Sequence, residues 1–198
     1  MPPSCFQIAA AANIQPLKQG DYSNLCGLYS VINAIQLVLW PLRPSRSQLR
    51  SLVGAGIVQL SKRRKIASVM TLGMAEDVWL DLADEMVGRA NDMFSGSLVL
   101  QPIFDDLAVS CNNHTKLTLK RALRKIQSAI ANGQPVLCGL GGALGHYTVL
   151  SGYSEHRLTL FDSSRFSWLR PANVGVSEDA GTLHWLYMGS VRALIDDW

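Results

Sequence analysis

Cys26 lies where a polar turn becomes an apolar helix, in the sequence QGDYSNLCGLYSVIN at residues 19–33. A thiol at a helix N-terminus feels the positive end of the helix dipole, which favours the thiolate, the form of cysteine that attacks a carbonyl carbon. A free cysteine is also among the most commonly buried side chains, so its position taken alone favours a structural role. A base elsewhere in the chain is needed to decide between these roles.

His146 and Asp162 are the candidates for that base and for the residue that orients it. His146 opens the segment HYTVLSGY, directly after the glycine-rich GLGGALG, and Asp162 closes the next β-rich segment, RLTLFDSS. Neighbouring antiparallel strands joined by a short turn bring the start of one beside the end of the other. We therefore predict a hydrogen bond between the two side chains, in which the histidine takes the thiol proton and the carboxylate orients the imidazole.

Gln19 is the candidate donor for an oxyanion hole. It precedes Cys26 with six residues between them, and its amide can donate a hydrogen bond while it carries no charge. The backbone N–H of Cys26 is predicted to be the second donor to the negative oxygen of a tetrahedral intermediate.

The elements that must position these residues follow from hydrophobic spacing. Residues 1–18 are predicted to be an irregular arm, followed by a helix that Asn24 or Ser23 caps and that runs to about residue 40. Helices are also predicted over residues 47–60, 74–90 and 117–132, with a strand within 96–104. After Pro135, short β-rich segments alternate with tight turns, which is typical of an antiparallel sheet.

This order of elements predicts an α+β fold in a single domain of residues 1–198. The arm of residues 1–18 precedes a mainly helical lobe at 19–133, and a β-sheet lobe follows at 134–198. The catalytic Cys would lie at a helix N-terminus that packs on the sheet lobe, with a cleft between the two lobes.

The motifs NLCGLYSVINAI, QPVLCGLGG, GHYTVLSGY and RLTLFDSS resemble the papain-like cysteine peptidase superfamily (clan CA). They are most similar to its bacterial branch of bacteriocin-leader peptidases, and they cover about a third of the chain. The resemblance implies a papain-like fold and a triad of Cys26 as nucleophile, His146 as base and acid, and Asp162 as orienting residue. It also implies Gln19 as oxyanion donor. The interval from Gln19 to Cys26 is about one residue longer than in the family, so Asn24 and Gln15 are alternatives.

The expected function is that of a thiol protease that cleaves a peptide or isopeptide bond in a protein or peptide substrate. The same triad serves a glutamine deamidase or a transglutaminase-type effector or toxin, which differ in what the cleft admits and in what attacks the acyl-enzyme. A catalytically silent papain-like domain that binds a protein is the third alternative. The substrate and the oligomeric state do not follow from the sequence.

Charge and hydropathy exclude several other classes. There are 18 Lys and Arg against 15 Asp and Glu, a net charge of +3, so no nucleic-acid partner is expected. The run SKRRK at residues 61–65 is the one dense basic cluster, predicted to be a solvated loop or helix face, with a polyanionic partner as the alternative. No apolar run approaches the ~20 residues of a membrane span. The N-terminus lacks the features of a secretion signal, so we expect a cytoplasmic protein, or a secreted effector exported without a cleaved signal peptide.

The remaining cysteine and histidine residues predict neither a metal nor an organic cofactor. Cys5, Cys26, Cys111 and Cys138 form no CxxC pair, which favours free thiols in a reducing compartment. Cys111 and His114 have metal-like spacing but no second pair, and a structural zinc site needs four ligands.

Other residues have weaker functional interpretations. The segment GLGGALG precedes a strand rather than a helix, so it is not expected to hold a phosphate group. His184 is an alternative base, whereas His156 is expected to be exposed in a turn. Trp168 and Trp185 are expected to belong to the core rather than to a substrate platform.

Overall fold

The computed structural model describes residues 4–20, 24–104, 118–176 and 181–197. Within these residues the helices are α1 (Ala9–Asn13), α2 (Cys26–Val38), α3 (Arg46–Lys62), α4 (Ile66–Leu72), α5 (Glu76–Phe94) and α6 (Leu119–Ala131). The strands are β1 (Phe6–Gln7), β2 (Leu98–Pro102), β3 (Val136–Gly142), β4 (His146–Ser154), β5 (Arg157–Leu160), β6 (Trp168–Leu169), β7 (Val174–Gly175) and β8 (His184–Asp196).

The strands form one sheet in the order β2-β8-β3-β4-β5-β6, in which all neighbours are antiparallel. The short β1 pairs with β4, and β7 pairs with β8 in parallel. Helices α2, α5 and α6 pack against the sheet. The fold is therefore α+β, with N-terminal helices packed on a C-terminal antiparallel sheet, as the order of elements predicts.

Helix α2 occupies the centre of the core. Leu28, Ile32 and Ile35 are fully buried, as their helical spacing predicts. Gly27 allows α5 to come close, because a Cβ at this position would lie 2.7 Å from Trp79. The indole Nε1 of Trp79 donates a hydrogen bond to the Gly27 carbonyl over 3.2 Å. The first turn of α2 is thereby held firmly against α5.

The predicted cap of α2 at Asn24 is wrong. Leu25 occupies the cap position and makes no side-chain hydrogen bond there. The amide of Asn24 instead donates to the carbonyl oxygen of Met70 over 2.8 Å. Ser23 lies outside the described residues. Contact with α4 therefore determines the conformation of Asn24, rather than the orphan N–H groups of its own helix.

The predicted irregular arm is also wrong over residues 6–13, which form β1 and α1. The arm is ordered by β4, because the Ile8 N–H donates to the carbonyl of Ser151 over 2.8 Å. The helices predicted at 47–60, 74–90 and 117–132 are present as α3, α5 and α6, whereas α4 had no counterpart among the predictions. The sheet takes in β1 and β2 from outside residues 134–198, so its membership is wider than the predicted sheet lobe.

Candidate active site

Cys26 is the first residue of α2, and 8% of its surface is exposed. The N–H groups of the first helical turn have no partner within the helix and point toward its N-terminus. The first turn of α2 contains no acidic residue. These groups therefore present partial positive charge beside the sulfur, which favours an anion at this position.

His146 and Asp162 form a buried hydrogen bond, as their places on neighbouring strands predict. His146 is the first residue of β4, and Asp162 follows the end of β5 by two residues. The imidazole Nε2 lies 2.7 Å from Asp162 Oδ2, and the two side chains are 8% and 0% exposed. The Cys26 side chain lies close enough to His146 to favour the charged imidazole. When Nε2 carries a proton toward Asp162, Nδ1 is the ring nitrogen that remains to exchange protons.

The electrostatics of this site favour a charged imidazole. Burial lowers the pKa of His146, but the hydrogen bonds and charges of Asp162 and Cys26 outweigh it and raise the pKa from the ordinary 6.5 to about 9. Burial raises the pKa of Asp162, yet the hydrogen bond and charge of His146 bring it below its usual value. At neutral pH the site therefore contains an imidazolium held by a carboxylate, next to the sulfur.

Asp162 is held in place by its own loop. Its Oδ1 accepts hydrogen bonds from the backbone N–H and the hydroxyl of Ser164, both over 2.7 Å. From the N-terminal arm, the Lys18 ammonium donates to the carbonyl of Asp162 over 3.0 Å and to that of Ser164 over 2.7 Å. Both carboxylate oxygens and the loop backbone are thus bonded, which fixes the carboxylate toward His146.

Gln19 lies beside this loop. Its backbone N–H donates to the Ser163 carbonyl over 3.1 Å, and its Oε1 accepts from the Ser163 hydroxyl over 3.4 Å. Of the alternatives, Asn24 is bonded to Met70, and Gln15 borders a separate surface pocket together with Arg43. Gln19 is in contact with the loop that follows Asp162, and its role as oxyanion donor stays a prediction.

A groove of about 580 Å³ runs alongside the site, between the arm and the loop after Asp162. It is lined by Lys18, Gln19, Gly20, Ser163, Ser164, Arg165 and Phe166. The ring of Phe166, 43% exposed, meets the His146 ring edge-on, with 5.5 Å between the ring centres. A bound molecule in this groove would therefore contact the aromatic ring that covers the histidine.

The other candidates lie on different strands or in a turn. His184 is buried at the start of β8, where burial lowers its pKa, and its backbone pairs with Gly142 and Val174. His156 is exposed, as predicted. Trp168 is 40% exposed, so its predicted place in the core is wrong. Trp185 is half-buried.

The glycines of GLGGALG make room for aromatic rings. A Cβ at Gly139 would lie 2.6 Å from Tyr187, and one at Gly141 would collide with Trp185. Close packing of β3 against side chains of β8 therefore explains the glycines at both positions.

Cys5, Cys26 and Cys138 are free, and burial raises the pKa of Cys138 to about 12. Cys111 and His114 lie outside the described residues.

Two further properties concern the part of the chain that the structure describes. It contains no group of three or more His, Cys, Asp or Glu side chains placed to hold a metal ion. None of its helices is both long enough and apolar enough to cross a bilayer.

Three residues of the site were not found from the sequence: Lys18, Ser164 and Phe166. A serine two residues after an aspartate is a known signal for a local hydrogen bond to the carboxylate, so Ser164 carried a usable pattern. Lys18 carried none, because its partners are backbone carbonyls 144 and 146 positions away. The ring contact of Phe166 with His146 likewise depends on how the loop folds back.

Comparison with known proteins adds nothing to this geometry, because no protein family and no curated protein matches the chain.

Proposed function

We propose that the chain is a thiol hydrolase of papain-like architecture that cleaves a peptide or isopeptide bond through Cys26, His146 and Asp162. The observation that carries the proposal is the buried hydrogen bond between Asp162 and His146, beside a thiol at a helix N-terminus that favours the charged imidazole. Nucleophile, base and orienting group in this arrangement are what acyl transfer requires. The similarity of the motifs to the papain-like superfamily supports the same reading.

In the first half of the reaction, the Cys26 sulfur attacks the carbonyl carbon and a C–S bond forms. The carbonyl electron pair moves to oxygen, where the N–H of Cys26 and the Gln19 amide are the proposed donors. When the intermediate collapses, the C–N bond breaks and the imidazolium of His146 gives its proton to the departing amine. The product of this half is a thioester on Cys26.

In the second half, water attacks the thioester carbon while His146 accepts its proton. The C–S bond then breaks, the carboxylic acid leaves, and the imidazolium–sulfur pair is restored. Asp162 keeps Nε2 protonated throughout, so Nδ1 is the atom that exchanges protons with the sulfur, the amine and the water.

The direct test is alkylation of the thiols with limiting iodoacetamide at pH 6, read by peptide mass spectrometry. Exposure alone predicts that the buried Cys26 reacts more slowly than the exposed Cys5. The proposal predicts the reverse by at least about tenfold, because a thiol of ordinary pKa, near 8.5, is almost entirely protonated at this pH. The advantage should be lost in His146→Ala and kept in His184→Ala, a matched removal of a buried histidine elsewhere.

Equal labelling of Cys26 and Cys5 would remove the support for an enzyme and favour a protein-binding domain. If the activated thiol is present, a peptide library incubated with the protein identifies the reaction. Hydrolysis creates new peptide N-termini, whereas deamidation converts glutamine to glutamate and transamidation joins an added amine. New N-termini that vanish in Cys26→Ala are the expected result.

A further inference from the structure

Residues 41–75 form the most unbalanced part of the chain in charge. They contain seven of the 18 Lys and Arg residues and none of the 15 Asp and Glu residues. Helix α3 and helix α4 both lie within this segment. Arg63 forms an ion pair with Asp81 of α5 over 2.9 Å, so part of this charge is compensated by a neighbour. No carboxylate within residues 41–75 can compensate the other six cations.

The same segment carries a concentration of exposed apolar side chains. Among the described residues, nine large hydrophobic side chains are exposed, and five of them belong to residues 41–75: Leu42, Ile57, Val58, Met70 and Leu72. Leu72, at the end of α4, is 87% exposed. Such side chains scattered singly over a surface are ordinary, but five within 35 residues that lack any acid are not.

Basic and apolar side chains share the outer faces of α3. Arg46, Arg50 and Ile57 are spaced four and seven residues apart, so they follow one line along the helix. Val58 and Lys62 are four apart and form a second line. We call Arg46, Arg50, Ile57, Val58 and Lys62, together with Leu72, the α3–α4 surface. Cationic and apolar side chains thus lie together on two adjacent sides of a helix about 25 Å long.

Arg46 and Arg50 also border an apolar groove of about 360 Å³. Its walls include Leu17, Tyr29, Leu49 and Val53. A guanidinium group binds phosphate in a planar, two-point geometry. Arg46 and Arg50 therefore place phosphate-binding groups directly beside apolar walls. This arrangement is complementary to a phospholipid, whose phosphate would contact the guanidinium groups and whose acyl chains would contact the apolar walls.

We infer that the α3–α4 surface docks on an anionic membrane surface. Lys and Arg side chains are attracted by the negative potential of acidic lipids, and protruding apolar side chains enter the boundary between headgroups and chains. A fluid interface accepts a nearly fully exposed leucine without a preformed pocket, which a protein partner would have to provide. Asn24 bonds the end of α4 next to the nucleophile, so docking would hold the candidate cleft close to the bilayer.

Co-sedimentation with vesicles tests this inference. Vesicles of phosphatidylcholine with about 30% phosphatidylserine should bind the protein at least tenfold more strongly than phosphatidylcholine alone. The triple variant Arg46→Gln, Arg50→Gln, Lys62→Gln should lose more than tenfold, since each cation near the surface contributes about fivefold. Leu72→Gln should lose about tenfold with no change in net charge.

The matched control removes the same charge from another helix. Lys120, Arg121 and Arg124 lie within three turns of α6, and none of the exposed large hydrophobic residues in the described chain belongs to that helix. Their triple replacement by Gln should change binding by less than about twofold, because α6 packs mainly on β1, β3 and β4 rather than on α3 or α4, and salt screens charges that are farther than about 10 Å from the lipid. Circular dichroism would verify that both triple variants are folded.

Three outcomes would overturn the inference: no preference for anionic vesicles, equal losses in the two triple variants, or full binding by Leu72→Gln. The last would identify a purely electrostatic polyanion site. The inference is independent of the proposed function, because Cys26→Ser should bind vesicles like the unaltered protein whether or not the chain is an enzyme.

Discussion

Replacing Asp162 by asparagine should lower the pKa of His146 by more than one. Asparagine keeps the size of the side chain but removes its charge and turns a charged hydrogen bond at Nε2 into a neutral one. The imidazolium of His146 is then favoured only by Cys26, while burial continues to disfavour it.

The magnitude follows from the balance at His146. Its pKa of about 9 exceeds the ordinary 6.5 by about 2.5, which corresponds to about 3 kcal/mol in favour of the charged form. Four favourable contributions oppose burial, two from Asp162 and two from Cys26, and the Asp162 hydrogen bond is the largest of the four. Losing the two from Asp162 should therefore remove a substantial part of this preference, at least about 1.4 kcal/mol.

The assay is NMR titration of the imidazole Cε1–H signals, which is simple here because the chain has four histidines. His146→Ala assigns the signal. Asp81→Asn is the matched control. It removes a carboxylate on α5 that is paired with Arg63, and it should leave the His146 midpoint unchanged. A wild-type midpoint near 6.5, or the same midpoint in Asp162→Asn, would refute the reasoning.

Three further results are expected. Gln19→Ala should slow acyl-enzyme formation by about 10²–10³-fold without changing alkylation of the thiol, whereas Asn24→Ala should leave both rates unchanged, because its amide is bonded to Met70. Gly56→Ala should destabilise the protein by about 1–3 kcal/mol in urea unfolding, since its Cβ would collide with Leu28. Gly88→Ala, with open space at its Cβ, should stabilise it by about 0.5–1 kcal/mol. The pKa of His146 is higher in the folded protein than in the unfolded chain, so its protonation stabilises the fold fully below pH 6.5. This stabilisation is lost as the pH rises toward 9. The free energy of unfolding should therefore fall in that interval, by up to about 3 kcal/mol.

The sequence predicted those elements that local sequence patterns determine. The spacing of Leu28, Ile32 and Ile35, all buried, predicts helix α2. Gly133, with φ of 80°, follows α6 where a helix-ending glycine was expected. It did not predict β1, because two residues form a strand only where a neighbour such as β4 offers hydrogen bonds. The cap at Asn24 failed for the same reason, since its partner on α4 is 46 residues away.

The candidate site divides in the same way. Cys26, His146 and Asp162 could be proposed because each residue type has a distinct chemistry and the strand order brings two of them together. The pKa of His146 could not be foreseen, because it results from opposing burial, hydrogen-bond and charge effects that only the packed structure fixes. Lys18 bonds two backbone carbonyls and Phe166 meets the His146 ring edge-on, and such contacts leave no pattern in a single sequence.

The order of strands in the sheet has a consequence for how the protein is made. β8 is the last described strand along the chain, yet it lies inside the sheet, between β2 and β3. Until residues 184–196 have been synthesised, the facing edges of β2 and β3 have no β8 to pair with, and an open edge invites pairing with other chains. A nascent chain that already contains Cys26, His146 and Asp162 therefore still lacks the strand that joins the two parts of its sheet. Ribosome stalling or proteolysis just before β8 should yield an aggregating fragment rather than a shortened but folded protein.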